Sequence, residues 1–326
     1  MGAKLVAISA AVTLTVLAVA WLGDQTGATL YGLPLMAAMA LGVFAVQWVG
    51  LTHARLFETE HYFDLVGSLT YVTVTIFAIQ QAVDFGLRQQ LIAGAVVVWA
   101  VRLGPFLFMR IKKAGEDQRF RKIKLSTPRF LLTWTLQGTW VFITAGAALA
   151  AVMTPNSSPL EPLFFVGAAL WVSGFAIEVV ADHQKSTFKA NPDNEGKFIN
   201  TGIWARSQHP NYFGEIVLWA GVAIMALPSL SGSALTFLIS PIFVALLLTR
   251  ISGVPLLRKT AAARWGDDPD YQAHLKNTPV LIPRLFKVVG TATKKPAFAG
   301  FFISRTHSLT IGRFKTLQAG VEPVHC

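Results

Sequence analysis

The sequence has few charged residues and almost no cysteine. Only 14% of its 326 residues are charged, whereas 53% are hydrophobic. Soluble domains carry about 25% charged residues, so the composition argues against a soluble globule, and the apolar content argues against a disordered chain. The single cysteine, Cys326, excludes a disulfide framework and a cysteine-based metal site. It also lies too near the end for prenylation, which needs a cysteine fourth from last.

Several functional signatures are also missing. Neither GxGxxG nor GxxxxGK[ST] occurs, which excludes a Rossmann or P-loop nucleotide domain. The seven histidines are scattered, with no pair at a spacing of three or four, so we expect no metal site. No helix-turn-helix, zinc finger or RNA-binding motif accompanies the net charge of +11. We therefore expect no nucleic-acid partner and look to the membrane for the origin of the charge.

Long apolar runs dominate the chain, and a bilayer-crossing helix needs about 20 mostly apolar residues. The seventh run contains Glu215, and the eighth contains Pro241 and Pro255, which predict a kink or an early end. The first run has no small-x-small cleavage site, so we interpret it as an uncleaved helix. The sequence predicts an all-α integral membrane protein, a bundle of about seven or eight transmembrane helices, with runs near 4–22, 30–51, 64–83, 88–109, 130–153, 161–181, 212–228 and 233–257.

The basic residues alternate between the loops of this bundle. The segment 110–129 alone holds eight lysines and arginines, whereas the loops 23–29, 154–160 and 229–232 hold none, and Arg88 is the exception on that side. This asymmetry follows the positive-inside rule and predicts that both termini face the cytoplasm. We expect a bacterial inner membrane first and the endoplasmic reticulum second.

The chain divides into three predicted parts. Residues 1–51 form N-terminal transmembrane helices, 52–289 form the main membrane domain, and 290–326 form a basic tail. We expect the tail to be mobile and cytoplasmic, in contact with anionic membrane lipids.

Ionisable residues inside membrane spans are costly and mark functional candidates. Glu178 and Asp182 are four residues apart, which puts both on one helix face. Their clustering with other such residues predicts a polar cavity open to the cytoplasm. The alternative is that each acid pairs with an arginine to hold helices together. The complete set is Asp64, Arg102, Glu178, Asp182, Glu215 and Arg250.

The segment 181–215 is the richest in polar residues. Its cations suit a large anionic ligand whose rings could lie on Trp204 or Tyr212. The alternative is a solvated loop whose basic residues simply follow the positive-inside rule. The run from His209 to Tyr212, just before Glu215, has no evident packing role and favours a binding site. The cations are Lys185, Lys189, Lys197 and Arg206.

These motifs resemble the steroid 5-alpha-reductase superfamily, and in particular its large bacterial-type branch, DUF1295. The similarity spans roughly residues 50–285 and is strongest in the run Ser207-Gln208-His209-Pro210-Asn211-Tyr212-Phe213-Gly214-Glu215. It also includes Asp182-His183-Gln184-Lys185, Gly202-Ile203-Trp204, and the stretches 98–103, 116–120, 252–257 and 265–271.

The resemblance implies a helical bundle that binds NADPH from the cytoplasmic side. It also implies reduction of an activated C=C bond in a lipid-like or steroid-like enone. Hydride then goes to the β-carbon, while the carbonyl is polarised and the α-carbon is protonated. The positions that match cofactor-binding residues are Arg102, Asp182, Lys189, Asn211, Tyr212 and Glu215, with Arg258 and Tyr271 in a looser alignment. We add Glu178, Arg206 and His209 as cofactor-binding candidates because they lie in the same polar segments.

The substrate end departs from the family pattern. Trp99 stands where steroid reductases carry a tyrosine, and an indole donates a hydrogen bond but does not serve as an acid. Asp64 stands where the family has a glutamate. Tyr71 follows it by seven residues on the same helical face and could supply the missing phenol. We therefore predict Asp64, Tyr71 and Trp99 as catalytic residues, with Tyr71 as the acid. The alternative for Tyr71 is an ordinary core aromatic.

Two other functions remain open. The isoprenylcysteine carboxyl methyltransferases carry an Arg-His-Pro-x-Tyr-like run and bind S-adenosylmethionine. The run Gln208-His209-Pro210-Asn211-Tyr212 satisfies that pattern only in part, since it lacks the arginine, and Glu215 favours the reductase. The third possibility is a non-catalytic protein that binds a lipid.

Overall fold

The computed structural model describes residues 2–155 and 159–284, so the predicted tail at 290–326 lies outside the described residues. The described chain is almost entirely helical, with one short antiparallel hairpin of β1 (Thr29–Leu30) and β2 (Leu33–Pro34). The α-helices are α1 (Gly2–Leu22), α2 (Leu35–Leu56), α3 (Phe63–Gln81), α4 (Leu87–Ala114), α5 (Thr127–Met153), α6 (Pro162–Ala190), α7 (Pro210–Ala226), α8 (Ser240–Leu246), α9 (Val254–Trp265) and α10 (Pro269–Asn277).

Eight of the described segments are long and apolar enough to cross a membrane. They are α1 to α6, the segment Pro210–Ser229, and the segment Gly232–Trp265. The predicted all-α, multi-pass membrane fold is therefore confirmed. Boundary differences occur at α2, which starts after the hairpin rather than at residue 30, and at α6. The latter runs about nine residues past its apolar run, because a helix outside the bilayer core no longer needs apolar side chains.

The eighth span is broken, as its prolines predict. It starts as a 3-10 helix at Gly232–Ile239, becomes α8 at Ser240, and ends in a π turn at Leu247–Ile251. Pro241 and Pro255 each lie in the first turn of a new helix, where the missing N–H costs little. The break lies beside the start of α7, because a methyl group on Gly253 would be 2.9 Å from the Tyr212 ring.

Helix α5 forms the centre of the bundle and packs against α1, α2, α3, α4, α7 and α8. Its C-terminal half is rich in alanine and glycine and is almost completely buried. Small side chains allow neighbouring helices to approach closely in a membrane. At Gly138 and Gly146, the rings of Phe44 and Phe237 occupy the space that a methyl group would need.

Helices α6 and α7 form the most intimate pair of the fold. Gly174 faces Gly214, and Gly167 faces Gly221, so each helix contributes two glycines seven residues apart. A methyl group on Gly214 would lie 2.6 Å from the carbonyl oxygen of Gly174, which no real contact tolerates. The backbones therefore touch directly, as small residues permit in membrane helices. This contact fixes the position of α7 along the axis of α6.

Polar side chains tie the helices together at the end of the bundle opposite to residues 178–215. Gln25 Nε2 donates to Thr154 Oγ1 at 2.6 Å and to the Ser229 carbonyl at 2.8 Å. Gln25 Oε1 accepts from the Ser231 N–H at 2.9 Å. At the start of α4, Arg88 is buried and pairs with Glu161 at 2.7 Å. Arg88, the basic residue that departs from the charge pattern of the loops, thus belongs to a structural ion pair.

Candidate active site

Arg102 joins two acidic side chains of α6. Its Nη1 donates to Glu178 Oε1 at 2.8 Å, and its Nη2 donates to Asp182 Oδ2 at 2.7 Å. Trp99 lies one turn earlier on α4 and donates its indole N–H to the other oxygen of Glu178 at 3.1 Å. The two acids therefore pair with an arginine, which is the alternative that the sequence left open. Arg102, Glu178, Asp182 and Trp99 form one largely buried group, which we call the Arg102 cluster.

Glu215 adds a third carboxylate to this region. The glycine contact between α6 and α7 places it within electrostatic reach of Glu178, Asp182 and Arg102. Glu215 is half-buried and makes no hydrogen bond or ion pair in the described part of the chain. Asn211, one turn earlier on the same helix, is also half-buried, and its side-chain amide makes no hydrogen bond among residues 2–155 and 159–284. Both groups are free to bind a ligand.

Three aromatic rings line the interior side of the cluster. Tyr71 and Trp99 meet edge to face with ring centres 5.0 Å apart, and Trp99 meets Trp219 in the same way at 5.0 Å. The phenol of Tyr71 hydrogen-bonds Thr144 Oγ1 and lies within electrostatic reach of Glu215. The indole N–H of Trp219 is buried, with no partner among the described residues. The structure thus brings Tyr71, Trp99 and the α7 motif together.

Asp64 pairs with an arginine of the loop before α5. It occupies the first turn of α3, two turns before Tyr71 and so about 10 Å along the helix axis. Its carboxylate is 3.4 Å from Arg119, whose guanidinium also holds Asp117 with Nε at 2.8 Å. Burial alone would raise the pKa of Asp117, but the hydrogen bonds and charge of Arg119 hold that pKa below its ordinary value. Arg119 is also within electrostatic reach of Tyr212, and the predicted joint role of Asp64 and Tyr71 at a substrate stays a prediction.

Several cations that form no ion pair in the described chain lie near Asp182 and His209. Lys185 interacts electrostatically with Lys189, Arg110 and Asp182, and its Nζ lies 4.6 Å from the ring centre of Trp204. Within the described chain, none of these cations has a carboxylate within 4.0 Å. We call these five cations the cation ring: Arg110, Lys185, Lys189, Arg258 and Arg264. Asp182, which is within electrostatic reach of Arg110 and Lys185, is already paired with Arg102, so the remaining positive charge suits phosphate groups.

His209 and Tyr212 provide a stacked pair of rings next to the cation ring, with centres 5.4 Å apart and planes 17° apart. His209 interacts electrostatically with Lys185 and Arg258. Burial, reinforced by these two charges, lowers the pKa of His209 to about 4. The imidazole is therefore neutral at neutral pH, and a flat aromatic surface lies beside positive charge.

Other parts of the 207–215 motif support the C-terminal segment. Ser207 Oγ donates to the Leu281 carbonyl at 2.7 Å, and Gln208 Nε2 donates to the Thr278 carbonyl at 2.7 Å. Arg206 is exposed, and its carbonyl accepts from the Arg284 N–H at 3.1 Å. Tyr271 packs against Phe198, with ring centres 5.1 Å apart, and burial raises its pKa. The side chain of Tyr271 thus belongs to an aromatic cluster of the C-terminal helices.

Several residues at this site were missed from sequence. Trp219 follows Glu215 by four residues, so helical spacing could have found it. The positive-inside rule already explained the basic residues around Arg110 and Arg264, so nothing in the sequence distinguished these two from their neighbours. Thr144 lies in a featureless apolar run, and nothing in the sequence links it to Tyr71.

The family model "Protein of unknown function (DUF1295)" matches residues 51–278, well over half of the chain. The chain belongs to this family. It also resembles 3-oxo-5-alpha-steroid 4-dehydrogenase 1 of Homo sapiens, with 32% identity over 77 residues, 24% of this chain and 29% of that protein. These similarities confirm the predicted membership of the steroid 5-alpha-reductase-like DUF1295 superfamily.

Two further relatives widen the comparison. The Bos taurus 3-oxo-5-alpha-steroid 4-dehydrogenase 1 is 33% identical over 64 residues, 20% of this chain and 25% of its own length. The Ustilaginoidea virens protein named probable O-methyltransferase ustE is 26% identical over 84 residues, 26% of this chain and 30% of its own length. The chain covers less than a third of each of these relatives. No solved structure matches it.

Proposed function

We propose that the protein is a membrane-embedded oxidoreductase that uses NADPH to reduce an activated C=C bond in a lipid-like or steroid-like enone. One observation carries the proposal: Glu215, without a partner in the described chain, lies within electrostatic reach of Arg102, while His209, at the start of the same motif, lies within reach of Lys185 and Arg258. Asn211, also without a partner among the described residues, lies between His209 and Glu215 in the sequence. The partial similarity to proteins named 3-oxo-5-alpha-steroid 4-dehydrogenase supports the same chemistry.

The donor set fits NADPH. The cation ring offers five positive charges for a diphosphate and a 2′-phosphate, and arginine and lysine are the usual partners of such groups. The stacked His209 and Tyr212 offer an aromatic face for a base. Asn211 and Glu215 can hydrogen-bond an amide group. When bound, the cofactor supplies the hydride that the β-carbon of the enone receives.

Side chains of the protein supply the proton for the substrate and orient the groups around it. Tyr71 holds a proton on its phenol oxygen, beside Thr144, and can donate it to the substrate. The N–H of Trp99 is engaged with Glu178, so Trp99 orients that carboxylate rather than acting as a free donor. The unpartnered N–H of Trp219 is available to a substrate carbonyl. The three buried rings exclude water from this end of the site.

A methyltransferase is the second candidate, because of the partial similarity to a protein named probable O-methyltransferase. S-adenosylmethionine has a cationic sulfonium and no phosphate, so it has no use for the cation ring. A non-catalytic lipid-binding protein is the third candidate, and it has no need of free Asn211 and Glu215 side chains.

One titration separates these functions. The purified protein in detergent is titrated with NADPH, followed by nicotinamide fluorescence, and with S-adenosylmethionine, followed by calorimetry. We expect NADPH to bind, and Asn211→Ala and Glu215→Ala each to weaken it at least tenfold. The controls Asn277→Ala and Glu58→Ala change side chains of the same types away from the site. Binding of S-adenosylmethionine alone would overturn the proposal, and binding of neither would favour the lipid-binding protein.

The direction of the site in the membrane is part of the proposal. The basic loops and the candidate site lie at the same end of the bundle, because α4 and α6 end there and α7 starts there. We infer that this end faces the cytoplasm, by the positive-inside rule, in a bacterial inner membrane. Thiol labelling of cysteines introduced at Lys113 and Tyr31, in a Cys326→Ser background, tests the orientation in intact cells. Labelling of the Lys113 position from outside would contradict it.

A further inference from the structure

An apolar groove lies between α1, α2 and α5, and none of its lining residues belongs to the candidate active site. This groove has a volume of about 460 Å³ and an almost wholly apolar lining. Its polar side chains are already engaged: Trp48 donates its indole N–H to Thr135 Oγ1 at 3.2 Å, and Thr13 Oγ1 donates to the Ser9 carbonyl at 3.0 Å. The lining residues are Val6, Ser9, Ala10, Thr13, Leu14, Trp48, Leu131 and Thr135.

Two cations lie at the end of this groove where α1 and α5 begin. A methyl group on Gly2 would lie 3.3 Å from Pro128, so the first turns of both helices meet there. Lys4 and Arg129 follow directly, and both are exposed. The first turns of α1 and α5 contain no acidic residue, and neither cation has a carboxylate within 4.0 Å in the described chain.

The geometry points to a binding site for one anionic phospholipid. The apolar groove takes an acyl chain, because it offers no unsatisfied polar group and faces the bilayer. Lys4 and Arg129 bind the phosphate, and basic side chains at this depth attract anionic headgroups. Helix α1 and most of the groove lie outside residues 51–278, so the site is independent of the proposed reductase function.

Retained lipid on the full-length protein tests this site. The protein is purified in detergent, delipidated, and incubated with equal amounts of dioleoylphosphatidylglycerol and dioleoylphosphatidylcholine, and bound lipid is counted by native mass spectrometry. We expect one phosphatidylglycerol per chain. Glycerol phosphate without acyl chains should not displace it, which separates a lipid from a free phosphate. Equal retention of the two lipids by the wild type would overturn the proposal.

Matched variants locate the site. Each basic side chain contributes about a fivefold factor, so Lys4→Gln combined with Arg129→Gln should lower the affinity about 25-fold. Lys112→Gln with Lys113→Gln is the control of equal charge. Ala10→Trp fills the groove and should abolish binding, whereas Ala11→Trp, on another face of α1, should not.

Two further results would speak against the site, and the first needs no variant. Wild-type binding that is unchanged in 0.5 M salt would show that the cations are not used, because exposed charges are screened there. Full retention of phosphatidylglycerol by a folded Ala10→Trp or Lys4→Gln/Arg129→Gln variant would likewise overturn the assignment.

Discussion

Gly174 and Gly214 touch backbone to backbone, and a methyl group on Gly174 would lie 2.5 Å from the carbonyl oxygen of Gly214. The glycine of the Asn-Tyr-x-Gly-Glu motif is therefore a packing residue. It holds Glu215, the next residue, beside the carboxylates of α6. The motif therefore combines a glycine, Gly214, that fixes the position of α7 with an acidic side chain, Glu215, that α7 brings to the site.

Replacement of Gly214 tests this relationship. Gly214→Ala forces α6 and α7 apart and should destabilise the fold by about 1–3 kcal/mol, as overpacking does. The measurement is the thermal transition of the detergent-solubilised protein. Gly94→Ala is the control, since a methyl group there would meet nothing within 4 Å. Equal stability of the two variants would contradict the close contact.

Loss of Arg102 should be more severe. Arg102→Met removes the guanidinium that pairs with both Glu178 and Asp182 and leaves these buried carboxylates without an ion pair, which costs about 3–5 kcal/mol. Adding Glu178→Gln and Asp182→Asn should restore much of the lost thermal stability. The control is Arg250→Met, since Arg250 is exposed and makes no ion pair in the described chain. An Arg102→Met protein as stable as the control would rule out the buried pair.

Tyr71 carries the proposed proton transfer. Tyr71→Phe keeps the ring between Trp99 and Trp219 but removes the hydroxyl that bonds Thr144. We expect turnover of an enone to fall by about 10²–10⁴, the usual contribution of a general acid, while NADPH affinity is unchanged. The control is Tyr62→Phe, whose half-exposed ring stacks on Phe108. Unaltered turnover in Tyr71→Phe would assign the proton to another group.

His209 should make stability depend on pH. Its pKa is about 4 in the folded protein and about 6.5 in an unfolded chain, so between these values the unfolded chain binds the extra proton. Stability therefore rises with pH through this window and is complete above it. Between pH 7 and pH 5 the loss should be about 2 kcal/mol.

The variant His209→Gln isolates that contribution. Its thermal transition should fall less than that of the wild type between pH 7 and pH 5. His183→Gln, at an exposed position of α6, should behave as the wild type does. An identical fall in His209→Gln and wild type would mean that this imidazole is not buried in its neutral form.

The fold was largely predictable because membrane spans leave a strong signal. Each predicted run corresponds to a span, since about 20 apolar residues in sequence have few other uses. The start of α2 was displaced because the apolar Leu30 and Leu33 belong to a hairpin, which hydropathy does not distinguish from a helix. The segments within the eighth span were not predictable, because they depend on where the broken helix packs.

The site was predictable only within helices. The spacing of Glu178 and Asp182 gave their common face, but their partner Arg102 lies on another helix. The expected association of Asp64 with Tyr71 rested on a helical spacing of seven residues and missed Arg119, because a loop brings that guanidinium to Asp64. Contacts between helices depend on packing, and a single sequence carries little information about packing. The predicted division into residues 1–51, 52–289 and 290–326 stays a prediction.

The side chain of Gln25 connects three parts of the bundle through hydrogen bonds. It joins the ends of α1, α5 and the segment after α7 on the side away from the Arg102 cluster. These hydrogen bonds hold α1 to the rest of the bundle at that end by more than apolar packing, which lipid could replace. The Gln25 amide therefore helps to keep the first helix in place beside α5.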